Sequence, residues 1–127
     1  MVCICLSLAT ECRPVGVADR NKIPDDKMTS SSYLQGAYPH YPHLGRLDEH
    51  RGGKKWCART GNDRTDFLQV DMGLAHSVCA VATIGKAAGY NVVSYKLQLS
   101  TDGVNWHVYK EQNQDRVKKI ERPNKQS

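Results

Sequence analysis

The sequence predicts an all-β protein with antiparallel strands, and two alternating stretches and one turn carry this prediction. Residues 94–100 (SYKLQLS) alternate large apolar with polar side chains, and residues 67–72 (FLQVDM) do the same. Alternation with a period of two is typical of a strand that buries one face and exposes the other. The apolar side chains are Tyr95, Leu97 and Leu99 in the first stretch and Leu68, Val70 and Met72 in the second.

The turn signal is the Asp102-Gly103 pair, which lies in the middle of residues 94–110. An Asp-Gly pair accepts the positive φ angles of a tight hairpin turn. After the turn, Trp106 and Val108 continue the alternation. The segment is therefore predicted to form a β-hairpin.

Eight short motifs follow one another in a recognisable order along the chain. They are residues 12–16 (CRPVG), 23–32 (IPDDKMTSSS), 45–47 (GRL), 56–58 (WCA), 67–73 (FLQVDMG), 81–85 (VATIG), 94–100 (SYKLQLS) and 102–106 (DGVNW). Together they resemble the discoidin family, whose domains are also called F5/8 type C or coagulation-factor C-type domains, over roughly residues 12–111. The resemblance implies an antiparallel jelly-roll β-sandwich, also described as galactose-binding-like. It further implies loops at one end that bind phospholipid, carbohydrate or protein ligands.

The last part of the chain departs from the family pattern. Family members continue with a Phe-x-Gly-Asn turn and further strands, whereas residues 111–127 are charged and have only Val117 and Ile120 as aliphatic side chains. Such a composition is typical of a solvated or disordered tail. We therefore expect a partial discoidin-like domain over residues 12–111, incomplete at its C-terminus, and a charged tail over residues 112–127.

The first residues are apolar. Residues 1–9 (MVCICLSLA) end in a small residue, as the core of a signal peptide does, but they lack a basic segment and are shorter than the usual ~15–30 residues. Two interpretations stay open for residues 1–11, a signal-peptide remnant or simply an apolar start. No other stretch approaches the ~18 apolar residues that cross a bilayer. We expect an extracellular or secreted protein without a transmembrane segment.

The five cysteines make an odd number. Cys3 and Cys5 lie in the apolar start, which leaves Cys12, Cys57 and Cys79. The resemblance implies that the opening cysteine pairs with a closing one that this sequence does not contain. The disulfide partner of Cys12 therefore stays open between Cys57, Cys79 and another chain. Cys79 lies within a predicted strand, where it is interpreted as a small, partly buried hydrophobe.

Residues 33–45 (YLQGAYPHYPHLG) contain three tyrosines, two prolines and two histidines, which predicts a projecting contact loop because tyrosine combines apolar area with a polar tip. In lipid-binding relatives the resemblance places exposed apolar residues here, at Ala37 and Tyr38, and again in residues 86–90. Neither place carries a strongly apolar pair, so deep membrane insertion is not expected. Tyr33 is predicted to pack under the loop, whereas Tyr41 stays open between packing and contact. The candidate ligand-binding residues of these two loops are Tyr38, His40, Tyr41, His43 and Tyr90.

A basic group follows the loop in sequence. If the loops gather at one end, as the resemblance implies, these charges ring the aromatic residues and meet phosphate or sulfate groups. Each of them alone also fits a solvated turn. The members, also candidate ligand-binding residues, are Arg51, Lys54, Lys55 and Arg59. Two neighbours are given structural roles, Trp56 in the core and Arg46 in an internal ion pair.

The net charge of +5 favours anionic partners, namely an anionic lipid surface or acidic glycan, besides an extracellular protein. Nucleic acid is not expected, because the sequence has no long basic helix and no basic-aromatic motif. Zinc is not expected either, since His40, His43, His50 and Cys57 match no compact ligand spacing. No nucleophile elbow, Walker loop or His-Glu-x-x-His motif is present. We expect no enzyme, no metal and no cofactor.

These observations predict a non-catalytic extracellular binding module for cell adhesion, or for recognition of glycan, anionic phospholipid or protein ligands. The alternative is a truncated, non-binding fragment of a larger adhesion or receptor protein.

Overall fold

The computed structural model describes residues 3–8, 11–46, 55–60, 65–76, 78–82, 94–110 and 118–119. Within these residues the regular structure consists of strands and two short 3-10 helices, and all the strand pairings are antiparallel. This confirms the predicted all-β class. The strands are β1 Cys3–Leu8, β2 Glu11–Pro14, β3 Met28–Ser30, β4 Leu68–Val70, β5 Val78–Ala82, β6 Ser94–Tyr95, β7 Gln98–Leu99, β8 His107–Val108 and β9 Lys118–Lys119. The 3-10 helices are Asp25–Lys27 and Pro42–Gly45.

The chain divides into two compact units, Met1–Ile84 and Gly85–Ser127. In the first unit, β1 is the central strand of a three-stranded sheet, with β2 on one side and β5 on the other. Ser7 of β1 lies opposite Cys12, and Cys5 lies opposite Ala80. The apolar start of the chain thus supplies a strand, while its interpretation as a signal-peptide remnant stays a prediction.

The core of the first unit lies beside the β3–β4 pair. Met28 of β3 lies opposite Val70 of β4 and is buried together with Val17 and Ile23. Val70 and Met72 pack against this cluster from the alternating stretch, as the sequence predicted. Burial of these apolar side chains stabilises the unit by roughly 25 cal/mol for each Å² of apolar surface removed from water.

Arg46 is the buried charged residue of this core, at 1% exposure. It follows the second 3-10 helix, and its guanidinium donates to the backbone carbonyls of Val17 and Ile23 and to the carboxylate of Asp25, the last two at 2.6 and 2.9 Å. Asp25 also accepts from Arg20 at 2.6 Å. The predicted internal ion pair of Arg46 is therefore confirmed. Together with the two carbonyl contacts, it joins the end of the second 3-10 helix to residues 17, 23 and 25.

The second unit contains the predicted hairpin. Gln98 of β7 lies opposite Val108 of β8, and the Tyr109 N–H donates to the Leu97 carbonyl at 2.8 Å. The turn is wider than the tight turn that the sequence predicted. Gly103 does take a positive φ of 74°, but the chain runs through a loop between Leu99 and His107 before it pairs again.

The side chain of Asp102 explains the wider turn. Its carboxylate accepts the backbone N–H groups of Val104 and Asn105, each at 2.8 Å. Donors that bond to a side chain in this way do not enter the strand ladder. The local Asx-type bonds therefore replace the pairing that a two-residue hairpin turn would need.

Candidate ligand-contact loop

Residues 34–40 form a closed loop with a hydrogen-bonded base. The Leu34 N–H donates to the Cys57 carbonyl, and the His40 N–H donates back to the Leu34 carbonyl, both at 2.9 Å. Pro42 then starts the second 3-10 helix, a position that proline fits because its missing N–H has no partner there in any case. The base of the loop is thus fixed by backbone bonds on both sides.

The tip of the loop projects into solvent. Residues 35–38 are all exposed, and Tyr38 has 73% of its surface exposed. A tyrosine so exposed contributes little to the packing of the unit, since burial of its ring is what would stabilise the fold. The structure therefore places this predicted contact residue at the most accessible part of the loop.

Behind the tip lies a row of three rings. The ring centroids of Tyr33 and Tyr41 are 5.0 Å apart, and those of Tyr41 and His43 are 5.5 Å apart with nearly parallel planes. Aromatic pairs at such distances are favourable in tilted and offset arrangements. Tyr33 is half-buried, whereas Tyr41 keeps 40% exposure. Tyr41 therefore packs on Tyr33 and still faces solvent, and its role in ligand contact stays a prediction.

The basic residue Lys55 lies beside this loop. The Nδ1 atom of His40 is 3.2 Å from the Lys55 carbonyl oxygen, and because a carbonyl only accepts, Nδ1 is the donor. Lys55 is half-buried and Arg59 is exposed. The structure therefore places the backbone of Lys55 next to His40 of the loop.

A network around Asp66, which the sequence did not predict, holds the segment that carries Arg59. The Asp66 carboxylate accepts hydroxyl hydrogen bonds from Ser32, Ser31 and Thr60 at 2.7, 2.8 and 3.0 Å. These bonds, that of Ser32 first, hold the pKa of Asp66 below its usual range. The Ser32 hydroxyl also accepts the Arg59 N–H at 3.0 Å.

Ser32 of this network also contacts the ring of Trp56. The Trp56 indole N–H donates to the Ser32 carbonyl at 2.9 Å, and the residue is half-buried rather than deep in the core. The run of three serines at 30–32 was the available sequence signal for this network. Serine runs are, however, equally common in plain turns.

The pKa of Asp25 is determined by its burial and by its arginine and histidine neighbours. Burial by itself would raise the pKa of this carboxyl, but the Arg46 hydrogen bond and the charges of His43, Arg20 and Arg46 outweigh burial and lower it. Asp25 therefore stays ionised at neutral pH. Its negative charge interacts electrostatically with Arg20, Arg46 and the imidazole of His43.

Several predicted residues lie outside the described part of the chain, namely Arg51, Lys54, Tyr90 and His50. Among the residues that are described, no three His, Cys, Asp or Glu side chains are grouped as a metal site would require. Cys57 is a free thiol and half-buried. No helix in the described ranges has the length and apolar character that a membrane crossing needs.

Comparison with known proteins assigns the family. Residues 27–126 match the F5/8 type C domain, and the chain belongs to this family. The match and the antiparallel strands together confirm the discoidin-type sandwich class that the sequence predicted. The matched range takes in residues 112–126 as well as the motifs before them.

Three relatives illustrate the similarity. The chain is 40% identical to lactadherin of Mus musculus over 111 residues, which is 82% of this chain and 24% of that protein. It is 31% identical to neuropilin-2 of Homo sapiens over 102 residues, 76% of this chain and 10% of that protein. It is 32% identical to coagulation factor V of Mus musculus over 103 residues, 77% of this chain and 5% of that protein. The chain thus spans a quarter or less of the length of these relatives.

Proposed function

We propose that this chain is a non-catalytic, extracellular binding module that recognises an anionic ligand through the loop of residues 34–40 and the adjoining Tyr41 and His43. The observation that carries the proposal is Tyr38, which is 73% exposed at the tip of a loop whose base is fixed by backbone hydrogen bonds. Large exposed aromatic residues on a rigid base are typical of contact sites, because little conformational entropy is lost when they bind. Membership of the F5/8 type C family supports the same reading.

The charge of the ligand is inferred from the residues around the loop. The backbone carbonyl of Lys55 lies beside His40, and the Ser32 hydroxyl of the Asp66 network holds the backbone of Arg59. A basic residue near an anionic membrane contributes about 1 kcal/mol, which is roughly fivefold in affinity. Arg51 and Lys54 are proposed to add to this group. Phosphate or sulfate groups therefore suit the site.

An acidic glycan suits the loop better than an anionic bilayer into which the loop would have to insert deeply. The tip residues next to Tyr38 are Gln35, Gly36 and Ala37, which add little apolar area. Insertion gains free energy in proportion to the apolar area that enters the membrane. The alternatives are a lipid headgroup contacted at the membrane surface, which the vesicle measurement below tests, and an acidic protein.

The test measures binding of the chain to immobilised heparin and to vesicles of phosphatidylserine and phosphatidylcholine. Tyr38→Ala combined with Tyr41→Ala is expected to weaken binding roughly tenfold, the loss typical of central aromatic contacts. Leu74→Ala is the matched control, since Leu74 is an apolar side chain of 78% exposure outside the loop. Equal binding by the double variant and the wild type would contradict the proposal.

The competing hypothesis, a fragment that does not bind, is separated by the state of the wild-type chain. A single cooperative thermal transition together with binding to heparin or vesicles supports the module. A chain without such a transition, or a folded chain that binds neither probe, supports the fragment hypothesis.

A further inference from the structure

Two histidines flank Tyr41 at the loop of the first unit. His40 ends the loop of residues 34–40, and His43 lies in the second 3-10 helix. Both side chains are half-buried. We call residues 34–40, with the adjoining Tyr41 and His43, the contact loop. Histidine is the side chain that changes from neutral to positive between about pH 8 and pH 5, so the charge that this loop offers to an anion depends on pH.

The hydrogen bond of His40 leaves one ring nitrogen for a ligand. Its Nδ1 atom donates to the Lys55 carbonyl at 3.2 Å, which places the lone pair of the neutral ring on Nε2. In the described part of the chain Nε2 has no hydrogen-bond partner. Protonation adds a hydrogen at Nε2 and keeps the Nδ1 bond. The ring therefore stays in place while Nε2 changes from an acceptor, which repels an anion, to a charged donor, which attracts one.

The ring of His43 is stacked on that of Tyr41. The two centroids are 5.5 Å apart and the planes are nearly parallel, while Tyr41 packs in turn on Tyr33. A cation on the face of an aromatic ring is attracted by the electrons of that ring. Protonation of His43 should therefore strengthen the stack that holds Tyr41 behind the tip of the loop. This makes His43 a positioning residue rather than a ligand contact.

Charged side chains of both signs surround the two histidines. The first 3-10 helix and strand β3 both contact the second 3-10 helix, and β3 contributes no charged residue. The charge of His43 acts on the Asp25 carboxylate, which therefore balances part of it. His40 makes no such ion pair within the described residues, so the charge that a ligand meets comes mainly from His40. The surrounding charged residues are Asp25, Asp26 and Lys27 of the first 3-10 helix, Arg20 and Arg46, which bond to Asp25, and Lys55 beside His40.

We propose that the contact loop is a pH-dependent anion site, in which protonated His40 donates from Nε2 to a sulfate group of an acidic glycan and protonated His43 holds Tyr41 in place. The inference rests on the proposed function, since it adds regulation to the same loop. Binding tightens as the pH falls from 7.5 to 5.5, roughly fivefold for one added charge near an anionic surface. A module of this kind holds its ligand more firmly in acidified surroundings than at neutral pH.

The first test measures the dissociation constant of the complete chain for heparin at pH 7.5 and at pH 5.5. Heparin is the probe because its sulfate groups keep their charge over this range, whereas a phosphate monoester titrates near pH 6. The ratio of the two constants is taken within each variant. It is expected to be roughly fivefold in the wild type and to fall towards one in His40→Gln. His43→Gln is expected to lower it less, because Asp25 balances part of that charge.

His76→Gln is the matched control for this ratio. His76 is an exposed histidine outside the contact loop, so the variant should keep the wild-type ratio. A wild type that binds equally at the two pH values, or a ratio that is unchanged in His40→Gln, overturns the inference and leaves the proposed function intact. A folded wild type that binds heparin at neither pH overturns both.

The second test needs only the wild-type chain and does not depend on the folding of a variant. Isothermal titration calorimetry at pH 6.5, in two buffers of different ionisation enthalpy, counts the protons taken up when heparin binds. Since the protonated loop binds more tightly, binding must draw protons onto the loop. Net proton uptake by the wild type is the expected result, and this uptake should fall in His40→Gln. Heparin binding without proton uptake, or uptake that His76→Gln loses instead, overturns the inference.

Discussion

The buried base around Arg46 and the exposed loop around Tyr38 belong to the same unit, yet the two side chains differ in burial and in the role we assign to them. Arg46 is 1% exposed, and its guanidinium donates to two backbone carbonyls and to the Asp25 carboxylate. Tyr38 is 73% exposed, at the tip of a loop held by backbone bonds. The residues that hold the fold therefore differ from those proposed to contact the ligand. Changes in the base should alter stability, whereas changes in the tip should alter binding.

The largest expected effect is that of Arg46→Met. It removes three hydrogen bonds and leaves the carbonyls of Val17 and Ile23 without their donor. Loss of one partner of a buried pair typically costs about 3–5 kcal/mol. Because Asp25 is partly exposed, we expect about 3 kcal/mol in the free energy of unfolding, measured by urea denaturation. Arg59→Met, at an exposed arginine, should leave stability unchanged, and equal losses in the two variants would contradict the comparison.

A smaller effect is expected from Gly16→Ala, at the turn that leads into the core. Gly16 has a φ of +96°, and an added Cβ would lie 2.6 Å from Cδ of Lys22. A left-handed conformation costs an L-residue about 1–2 kcal/mol. Gly73→Ala is the matched control, since Gly73 also has a positive φ but nothing within 4 Å of the added atom. Denaturation should show the larger loss for Gly16→Ala, and a larger loss at Gly73 would contradict the steric explanation.

The pH dependence of stability sharpens the comparison further. The pKa of Asp25 is below its ordinary value of 3.8, so its contribution to stability is present above that value and is lost as the pH falls through the lower, folded-state pKa. Urea denaturation between pH 7 and pH 2 should show this loss in the wild type. Asp25→Asn should be less stable at pH 7 and should show a flatter profile. Asp26→Asn, at an exposed neighbouring carboxylate, is the control and should lose less stability at pH 7 than Asp25→Asn.

The smallest effect on stability is expected from Tyr38→Ala. An exposed side chain without core contacts usually changes the free energy of unfolding by less than about 0.5 kcal/mol. Tyr33→Ala, which removes the half-buried ring that packs on Tyr41, should cost more. If thermal denaturation shows Tyr38→Ala to be the more damaging of the two, the tip is part of the packing and the comparison fails.

The sequence predicted those features that depend on local alternation. The strand within 67–72, the pairing of the two arms of the 94–110 hairpin, the antiparallel class and the structural role of Arg46 were predicted correctly, because each leaves a periodic or motif signal. The continuous strand predicted for 94–100 is instead two short strands, and Ser94–Tyr95 pairs with Lys118–Lys119. The width of the hairpin turn was not predicted, since it depends on which backbone groups the Asp102 carboxylate captures. Trp56 is only half-buried, because its indole N–H reaches the Ser32 carbonyl near the surface.

The sequence predicted which residue types the candidate site contains, but it did not predict how they are arranged. The spacing of tyrosines and histidines predicted a contact loop, but the ring row of Tyr33, Tyr41 and His43 requires coordinates. The Asp66 network joins residues more than thirty positions apart, and no local pattern reports such contacts. The ligand roles of the candidate residues stay predictions until binding is measured.

The most direct test is nuclear magnetic resonance of the labelled chain during titration with a heparin-derived tetrasaccharide. The proposed function predicts that amide shifts change in the loop around Tyr38 and Tyr41 and in the segment of Lys55 and Arg59, while the amides next to Arg46 stay in place. Shift changes that cluster elsewhere, or a folded chain whose amides do not respond, would contradict it.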